Sequence, residues 1–379
     1  MIKSELAEIK KQFTPKKCSI SRICTCYVDG EKNIKSTNTQ AFLSLPEEEM
    51  FKYFEILRKP LSGTLDKNLV NLSFSLDSEQ EGGTQEFLLR LRNSKLKDEE
   101  LLNEFYQRII DSYDYVGNYL IILIADAYDV PGKSTDGLTM DDASDEVYEY
   151  LLCCLCPVSL SQPGLSYDAM DNLFHNRIRD WVVELPKNGF LFPAFNDRSS
   201  DIHSAMYYSQ DAKNLNEVLA NDILGCSLPL TASEQKESFN EVIEETFEDT
   251  CSFRTIKNIH EKMNEIIDDH VDDPTPIRLD KTEVKNIFEC CGVPEEKMEY
   301  FDTKYDNTLG KEPIAMSNIY NKTAFEVKSP DVVIKVNPQR TDLISTKEID
   351  GRQCLVIKID GGVTVNGIAV HPETEKEEE

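Results

Sequence analysis

Tyr119-Leu-Ile-Ile-Leu-Ile124 is an unbroken apolar run with no polar residue to mark a solvent face. A run this short, bounded by Gly117-Asn118 and Ala125-Asp126, reads as a strand buried on both faces. Its partner is Val147–Val158, rich in Val, Tyr, Leu and Cys and closing near Pro157. A polar, acidic connection over Pro131–Glu146 would join the two as an antiparallel pair. A strand pair of this kind needs a sheet around it and helices against it, and the flanking sequence supplies both.

Upstream, Ser19–Val28, the turn Asp29–Asn33 and a second strand to about Leu45 read as a hairpin. Pro46 then opens a helix with Glu47, Glu48 and Glu49 in its first turn, where carboxylates suit the helix dipole; Met50, Phe51, Phe54 and Leu57 fall on one face. Val70, Leu72, Phe74 and Leu76 alternate with polar residues, as in a half-buried strand. Helix is predicted from Thr84 to about Ser112, interrupted near Asn93-Ser94. Downstream, Arg177–Glu184 and Gly189–Phe195 read as short strands, and Asn214–Leu224 as a helix closed by Gly225.

From Thr231 the pattern becomes helical and acidic. Thr231-Ala-Ser-Glu234 and Asp280-Lys-Thr-Glu283 both have the spacing of a capping box. After Gly310 the pattern turns to strands, with Asp350-Gly351 as a hairpin signal. The expected class is therefore α+β: a mixed or antiparallel sheet with helices over residues 1–230, an acidic helical segment over 231–310, a small C-terminal β module over 311–372, and a disordered acidic tail over 373–379.

The net charge is −28 over 379 residues. Residues 61–230 hold twelve Lys/Arg against twenty-eight Asp/Glu, and residues 231–310 nine against twenty-one. Such a surface repels nucleic acid and acidic membranes over most of its extent and suits a basic protein partner. Polyanion contact would fall to the ends, through Lys10, Lys11, Lys16, Lys17, Lys335 and Arg340. Met1–Phe13 reads as an amphipathic helix of mixed charge, not a secretory signal, and no apolar run is long enough to span a membrane. With eleven cysteines, several within apolar runs, the chain reads as cytoplasmic with reduced, buried thiols.

No motif specifies a reaction or a cofactor. The most site-like stretch is Phe190–His203, where Asn196, Asp197, Arg198, Asp201 and His203 follow a buried strand. An Asp–His pair there has acid–base chemistry available, or metal binding with Asp126 or Asp129; a turn with an Asx hydrogen bond and a surface ion pair is the plainer reading. Cys153-x-x-Cys156 lacks the second pair a zinc site needs. Asp136, Asp141, Asp142, Asp145 and Glu146 cluster without calcium-loop spacing. Gly82-Gly83 precedes a helix without a phosphate-loop pattern.

Five segments carry a resemblance: Leu45-Pro-Glu-Glu-Glu-Met-Phe-Lys-Tyr53, Gly82-Gly-Thr-Gln-Glu-Phe-Leu-Leu-Arg-Leu-Arg92, Tyr113-Asp-Tyr-Val-Gly-Asn-Tyr119, Ile178-Arg-Asp-Trp-Val-Val183 and Phe192-Pro-Ala-Phe-Asn-Asp-Arg-Ser-Ser200. They resemble the bacterial domain-of-unknown-function family numbered 4317, over nearly the whole chain. That resemblance implies no activity, cofactor or catalytic residue.

A second resemblance, of element order, is to the 37-kilodalton nucleoid-associated proteins. It rests on the opening hairpin and helix, the pair Tyr119–Ile124 and Val147–Cys156, the helix ending Leu224-Gly225, and Val332–Ile344 followed by Cys354–Ile359. It implies an association with DNA or a topoisomerase. The favoured expectation is a non-catalytic interaction or adaptor protein. The alternatives are a nucleoid-associated protein, or an enzyme or metal-binding protein using Asp197–His203.

Overall fold

The computed structural model describes residues 1–133, 139–248, 251–292, 295–298, 300–359, 361–365 and 368–370. The chain divides into two compact units, Met1–Gln235 with Pro274–Pro276, and Lys236–Asp273 with Ile277–Glu379.

In the first unit, α1 (Lys3–Lys10) precedes the hairpin β1 (Arg22–Val28) and β2 (Ile34–Ala41). Then come α2 (Glu47–Arg58), β3 (Leu69–Ser73), α3 (Thr84–Asn93) and α4 (Glu99–Ser112). The long strands β4 (Asn118–Lys133) and β5 (Thr139–Leu160) follow. After them come β6 (Leu165–Asp168), β7 (Leu173–Asn176), β8 (Trp181–Val183), β9 (Asn188–Phe192), β10 (Ala194–Asn196), β11 (Ser199–Asp201) and β12 (Ser204–Ser209). The short helix α5 (Glu217–Leu219) runs into a π turn ended by Gly225 at φ +60°.

Eight of these strands form one antiparallel sheet in the order β2-β1-β4-β5-β9-β12-β3, with β8 also paired to β5. Its centre is the pair anticipated from Tyr119–Ile124: Ile121 faces Leu155, Ile122 faces Cys154, Leu123 faces Cys153 and Ile124 faces Leu152. Side chains alternate across a strand, so an unbroken apolar run must be covered on both faces. Ile121, Leu123, Leu151 and Cys153 pack in one core with Leu88 and Leu91 of α3 and Phe105 and Ile109 of α4. Ile122, Ile124, Leu152 and Cys154 pack in a second core with Leu6 and Ile9 of α1 and Phe54 and Leu57 of α2. The first unit is thus a sheet between two helical layers.

The expected polar connection over Pro131–Glu146 is shorter than its composition implied, since β4 runs on to Lys133 and β5 begins at Thr139. Ladder hydrogen bonds are backbone bonds and need no apolar side chains, and bulges on either side of Pro131 accommodate its missing N–H. The helical stretch from Thr84 breaks after Asn93, and Asp98 caps α4 by accepting from the N–H groups of Glu100 and Leu101. Strand β2 bears Ser, Thr, Asn and Lys and is almost wholly exposed, which suits a sheet edge.

The second unit holds most of α6 (Ala232–Phe247), then α7 (Phe253–Asp269), β13 (Arg278–Leu279), α8 (Lys281–Cys290), α9 (Glu295–Met298), α10 (Phe301–Thr308), β14 (Ile314–Ala315) and α11 (Met316–Ile319). Both capping boxes form: Thr231 and Glu234 exchange bonds at the start of α6, as do Asp280 and Glu283 at the start of α8. Phe239, Val242, Ile259, Met263, Ile287 and Phe288 build its core. Three hairpins follow, β15 (Phe325–Lys328) with β16 (Val333–Val336), β17 (Ile344–Ile349) with β18 (Arg352–Ile357), and β19 (Val363–Val365) with β20 (Ile368–Val370). Residues 371–379, including the acidic tail, lie outside the described residues.

Two predictions follow from these cores. Leu123→Ala removes a fully buried side chain from the central pair; a loss of about 2–5 kcal/mol is expected in urea denaturation followed by circular dichroism. His260 packs against Tyr320 and Phe325, and burial lowers its pKa below the ordinary value of 6.5. The unfolded chain then takes up the proton first, so stability falls as pH drops below about 6.5 toward the lower folded value. His260→Phe should flatten that dependence in thermal unfolding between neutral and mildly acidic pH.

Candidate interaction surface

The ladder between β5 and its neighbour changes at one point. Leu151–Leu155 of β5 pair with β9, whereas Val158–Leu160 pair with β8. The break falls at Leu185-Pro186, where Pro186 has no N–H to donate. The N–H groups of Glu184 and Lys187 close the ladder on either side, donating to the carbonyls of Pro157 and Leu155 at 2.8 and 3.0 Å. Beyond Pro157 the two strands leave the helical layers and run on as a ribbon. Ser161 N donates to Asp180 O at 2.8 Å and Arg177 N to Gly164 O at 2.9 Å, and Arg179 Nε donates to Ser161 O at 2.7 Å. At the end, β6 and β7 pair from Leu165 opposite Asn176 to Asp168 opposite Leu173.

The turn at the tip is built by Asx bonds. Asp168 Oδ1 accepts from Met170 N at 2.8 Å and Asp171 Oδ1 from Leu173 N at 3.0 Å, while Asn172 takes a left-handed φ of +58°. The Tyr167 and Phe174 rings meet at 5.5 Å between centroids. Every residue from Gln162 to Leu185 is exposed. The exposed residues include large apolar side chains: Met170 at 95%, Ile178 at 84%, Phe174 at 66% and Trp181 at 55%, with Leu165 and Tyr167 beside them. A two-stranded hairpin exposed on both faces is marginal in water, and an apolar patch of this kind marks an interaction site. Covering one such side chain is worth roughly 1.5–3 kcal/mol.

Only the Arg177–Glu184 part of this arm was expected as strand; the β6–β7 hairpin was not. The signal was present in Leu165 and Tyr167 alternating with Ser166 and Asp168, then Asp171-Asn172 as a turn.

Within Phe190–His203, Asn196, Asp201 and the His203 backbone are linked locally, whereas Arg198 and the His203 ring turn to other elements. Asp197 and Arg198 occupy the turn between β10 and β11 at φ +53° and +58°. Arg198 pairs with Glu8 of α1 at 3.0 Å and donates to Pro131 O. Asn196 donates to Asp201 Oδ2 at 2.6 Å, and Asp201 Oδ1 accepts from His203 N at 3.1 Å. The His203 ring turns instead to Glu79, 2.8 Å from Nδ1. Asp126 lies in the central pair, its carboxylate accepting from Ser19, Tyr150 and the N–H of Ala127. Among the described residues, no group of three or more His, Cys, Asp or Glu side chains is placed to hold a metal ion.

Cys24, Cys26, Cys153, Cys154 and Cys156 are buried free thiols, and burial pushes all five pKa values up, Cys26 to about 11. Gly82 N–H is taken by Glu86 Oε2 at 2.5 Å, so the carboxylate of α3 itself occupies the place an anion would take. Gly83 is a close-approach glycine, since a Cβ there would meet Ser78 O at 2.3 Å. In the acidic cluster, Glu146 accepts from Ser199 Oγ and Ser200 N; Asp136 and the side chains of Asp141, Asp142 and Asp145 lie outside the described residues.

Of the six end cations, Lys335 pairs with Glu326 and Arg340 with Asp342, while Lys11, Lys16 and Lys17 are exposed and Lys10 Nζ donates to Ser62. No helix among the described residues is long and apolar enough to cross a membrane.

The hydrogen bond to Glu79, and then its charge, hold the pKa of His203 above 6.5. The stabilisation from this exposed pair is complete below that value and lost as pH rises through the higher folded pKa. Histidine NMR should give a His203 midpoint above 6.5 that falls in Glu79→Gln; a midpoint unmoved by that substitution would remove the pair.

No curated protein sequence is significantly similar to this one. The sequence profile of DUF4317, a domain of unknown function, matches residues 1–368, and the chain belongs to that family.

Proposed function

We propose that the chain is a non-catalytic protein-interaction module that binds its partner through the arm of residues 161–185. The observation that carries this reading is the exposure of a folded ribbon bearing Leu165, Met170, Phe174, Ile178 and Trp181. The ribbon also offers unpaired strand edges, among the described residues, onto which a partner strand can add.

The partner is a protein whose apolar groove is rimmed by basic residues. The arm carries Asp168, Asp171, Asp180 and Glu184 against Arg177 and Arg179, and the whole chain carries −28. Two copies of such a chain repel one another, whereas a basic partner is steered toward it.

The test uses full-length protein and the double substitution Phe174→Ser with Trp181→Ser. Both side chains are exposed, so thermal stability should change little, by within about 0.5 kcal/mol. Wild type should sediment as a monomer and retain, in a nuclease-treated native extract, a basic protein that high salt releases and that the double variant fails to retain. Retention unaffected by the substitutions would defeat the proposal. A wild-type dimer that the substitutions dissociate would assign the arm to self-association instead.

A further inference from the structure

A cleft of about 380 Å³ lies in the first unit, lined by β1, β4, β5 and the loop between α3 and α4. Its charged groups are Arg22, Arg92, Lys95 and Lys97, with Asp126 and Glu149. Four cations against two carboxylates give a local excess of positive charge, within a chain that is strongly acidic.

The cations are incompletely neutralised. Lys95 Nζ pairs with Glu149 at 3.0 Å. Among the described residues, Arg22 donates only to the carbonyl of Leu96, at 3.4 Å, and Arg92 donates to Asn93 Oδ1 at 3.0 and 3.1 Å. Among the described residues, Arg22, Arg92 and Lys97 have no carboxylate within ion-pair distance. Burial disfavours the charged form of Arg92 and lowers its pKa, as expected for a guanidinium without a counter-ion in contact.

The loop that presents these groups is held in an unusual conformation. Lys95 and Leu96 are consecutive non-glycine residues at φ +52° and +57°. Such backbone is disfavoured for L side chains, and it is held here by Leu96, whose side chain is buried in the core beneath α3 and α4. With Leu96 as the anchor, Lys95 and Lys97 stand on either side at the rim.

The other wall is polar. Asp126 Oδ1 accepts from Ser19 Oγ at 2.8 Å and Oδ2 from Tyr150 OH at 2.8 Å, which fixes both hydroxyl groups where they line the cleft.

We propose that this cleft binds a small phosphorylated metabolite, its phosphate held by Arg22, Arg92 and Lys97 and its hydroxyl groups by the wall of Ser19, Asp126 and Glu149. A planar guanidinium suits the bidentate geometry of a phosphate, and three cations without carboxylate partners exceed what a single carboxylate ligand needs. The volume is in the range of small-molecule sites. A nucleic acid is disfavoured because its next phosphates would meet the surrounding acidic surface.

Calorimetric titration of the full-length chain with inorganic phosphate, glucose 6-phosphate and glucose tests the proposal. Glucose 6-phosphate should bind more tightly than phosphate, and glucose should give no heat. Arg92→Gln with Lys97→Gln should weaken phosphate and glucose 6-phosphate by about tenfold or more, while Lys52→Gln, on the exposed face of α2, leaves both unchanged. Should the double variant misfold by circular dichroism, Lys97→Gln alone carries the test, because Lys97 is exposed and, among the described residues, has no ion pair to lose. Absence of binding by either phosphate compound at millimolar concentration overturns the proposal, as does a variant that binds like wild type. Competition by succinate as effective as that by glucose 6-phosphate would overturn the phosphate assignment in favour of a carboxylate.

Discussion

The pairing of β4 with β5 is the constraint on which the first unit depends. Ile121–Ile124 and Leu152–Leu155 place apolar side chains on both faces of the same ladder, so neither face can be left to water. The helices are recruited by that requirement. Helices α3 and α4 cover one face with Leu88, Leu91, Phe105 and Ile109, and α1 and α2 cover the other with Leu6, Ile9, Phe54 and Leu57. The cysteines belong to this economy of small apolar side chains. Cys153 and Cys154 point to opposite faces, opposite Leu123 and Ile122, and burial raises the pKa of both thiols.

Charge explains where chemistry is available. On a chain of net charge −28, several cations pair with carboxylates: Arg198 with Glu8, Lys281 with Asp306, Lys285 with Asp302, Lys297 with Glu248. What sets the cleft apart is the gathering of Arg22, Arg92, Lys95 and Lys97 around one concavity that also holds the buried Asp126. The same background explains how the apolar arm is tolerated. Repulsion between chains of like charge slows the collisions in which exposed Phe174 and Trp181 would meet, so the molecule can carry a surface that a neutral protein would bury or aggregate through.

Much of the fold was legible because its signals are local. The run Tyr119–Ile124, the alternation at Val70–Phe74, the interruption at Asn93-Ser94 and the capping residues Thr231 and Asp280 each declare an element without reference to distant contacts. The cleft was not legible, since Arg22, Lys97, Asp126 and Glu149 come from four separate elements and meet only through sheet register and the burial of Leu96. At Asp197–His203 the relation is the converse. The residues are adjacent in sequence, but the turn at Asp197-Arg198 and the short ladder of β10 with β11 send Arg198 to Glu8 and His203 to Glu79. The arm was half legible: its strands alternate as strands should, but exposure of both faces cannot be read from alternation, which ordinarily implies one buried face.

The arm and the cleft share one strand. Glu149 and Tyr150 of β5 line the cleft, and Val158–Leu160 of the same strand begin the ribbon. Between residues 150 and 160 an extended strand advances roughly 33 Å at about 3.3 Å per residue. The intervening residues Leu151–Leu155 are buried on both faces and paired on both sides. The proposed ligand cleft and the proposed docking arm therefore lie at the two ends of one confined strand segment. Any influence of one on the other would have to pass through the most tightly packed part of the sheet, where sub-ångström shifts in Leu152 or Cys154 meet side chains already in contact. A strand so confined links its two ends only through packed side chains, so any coupling between the proposed ligand and the proposed partner would require that packing to shift.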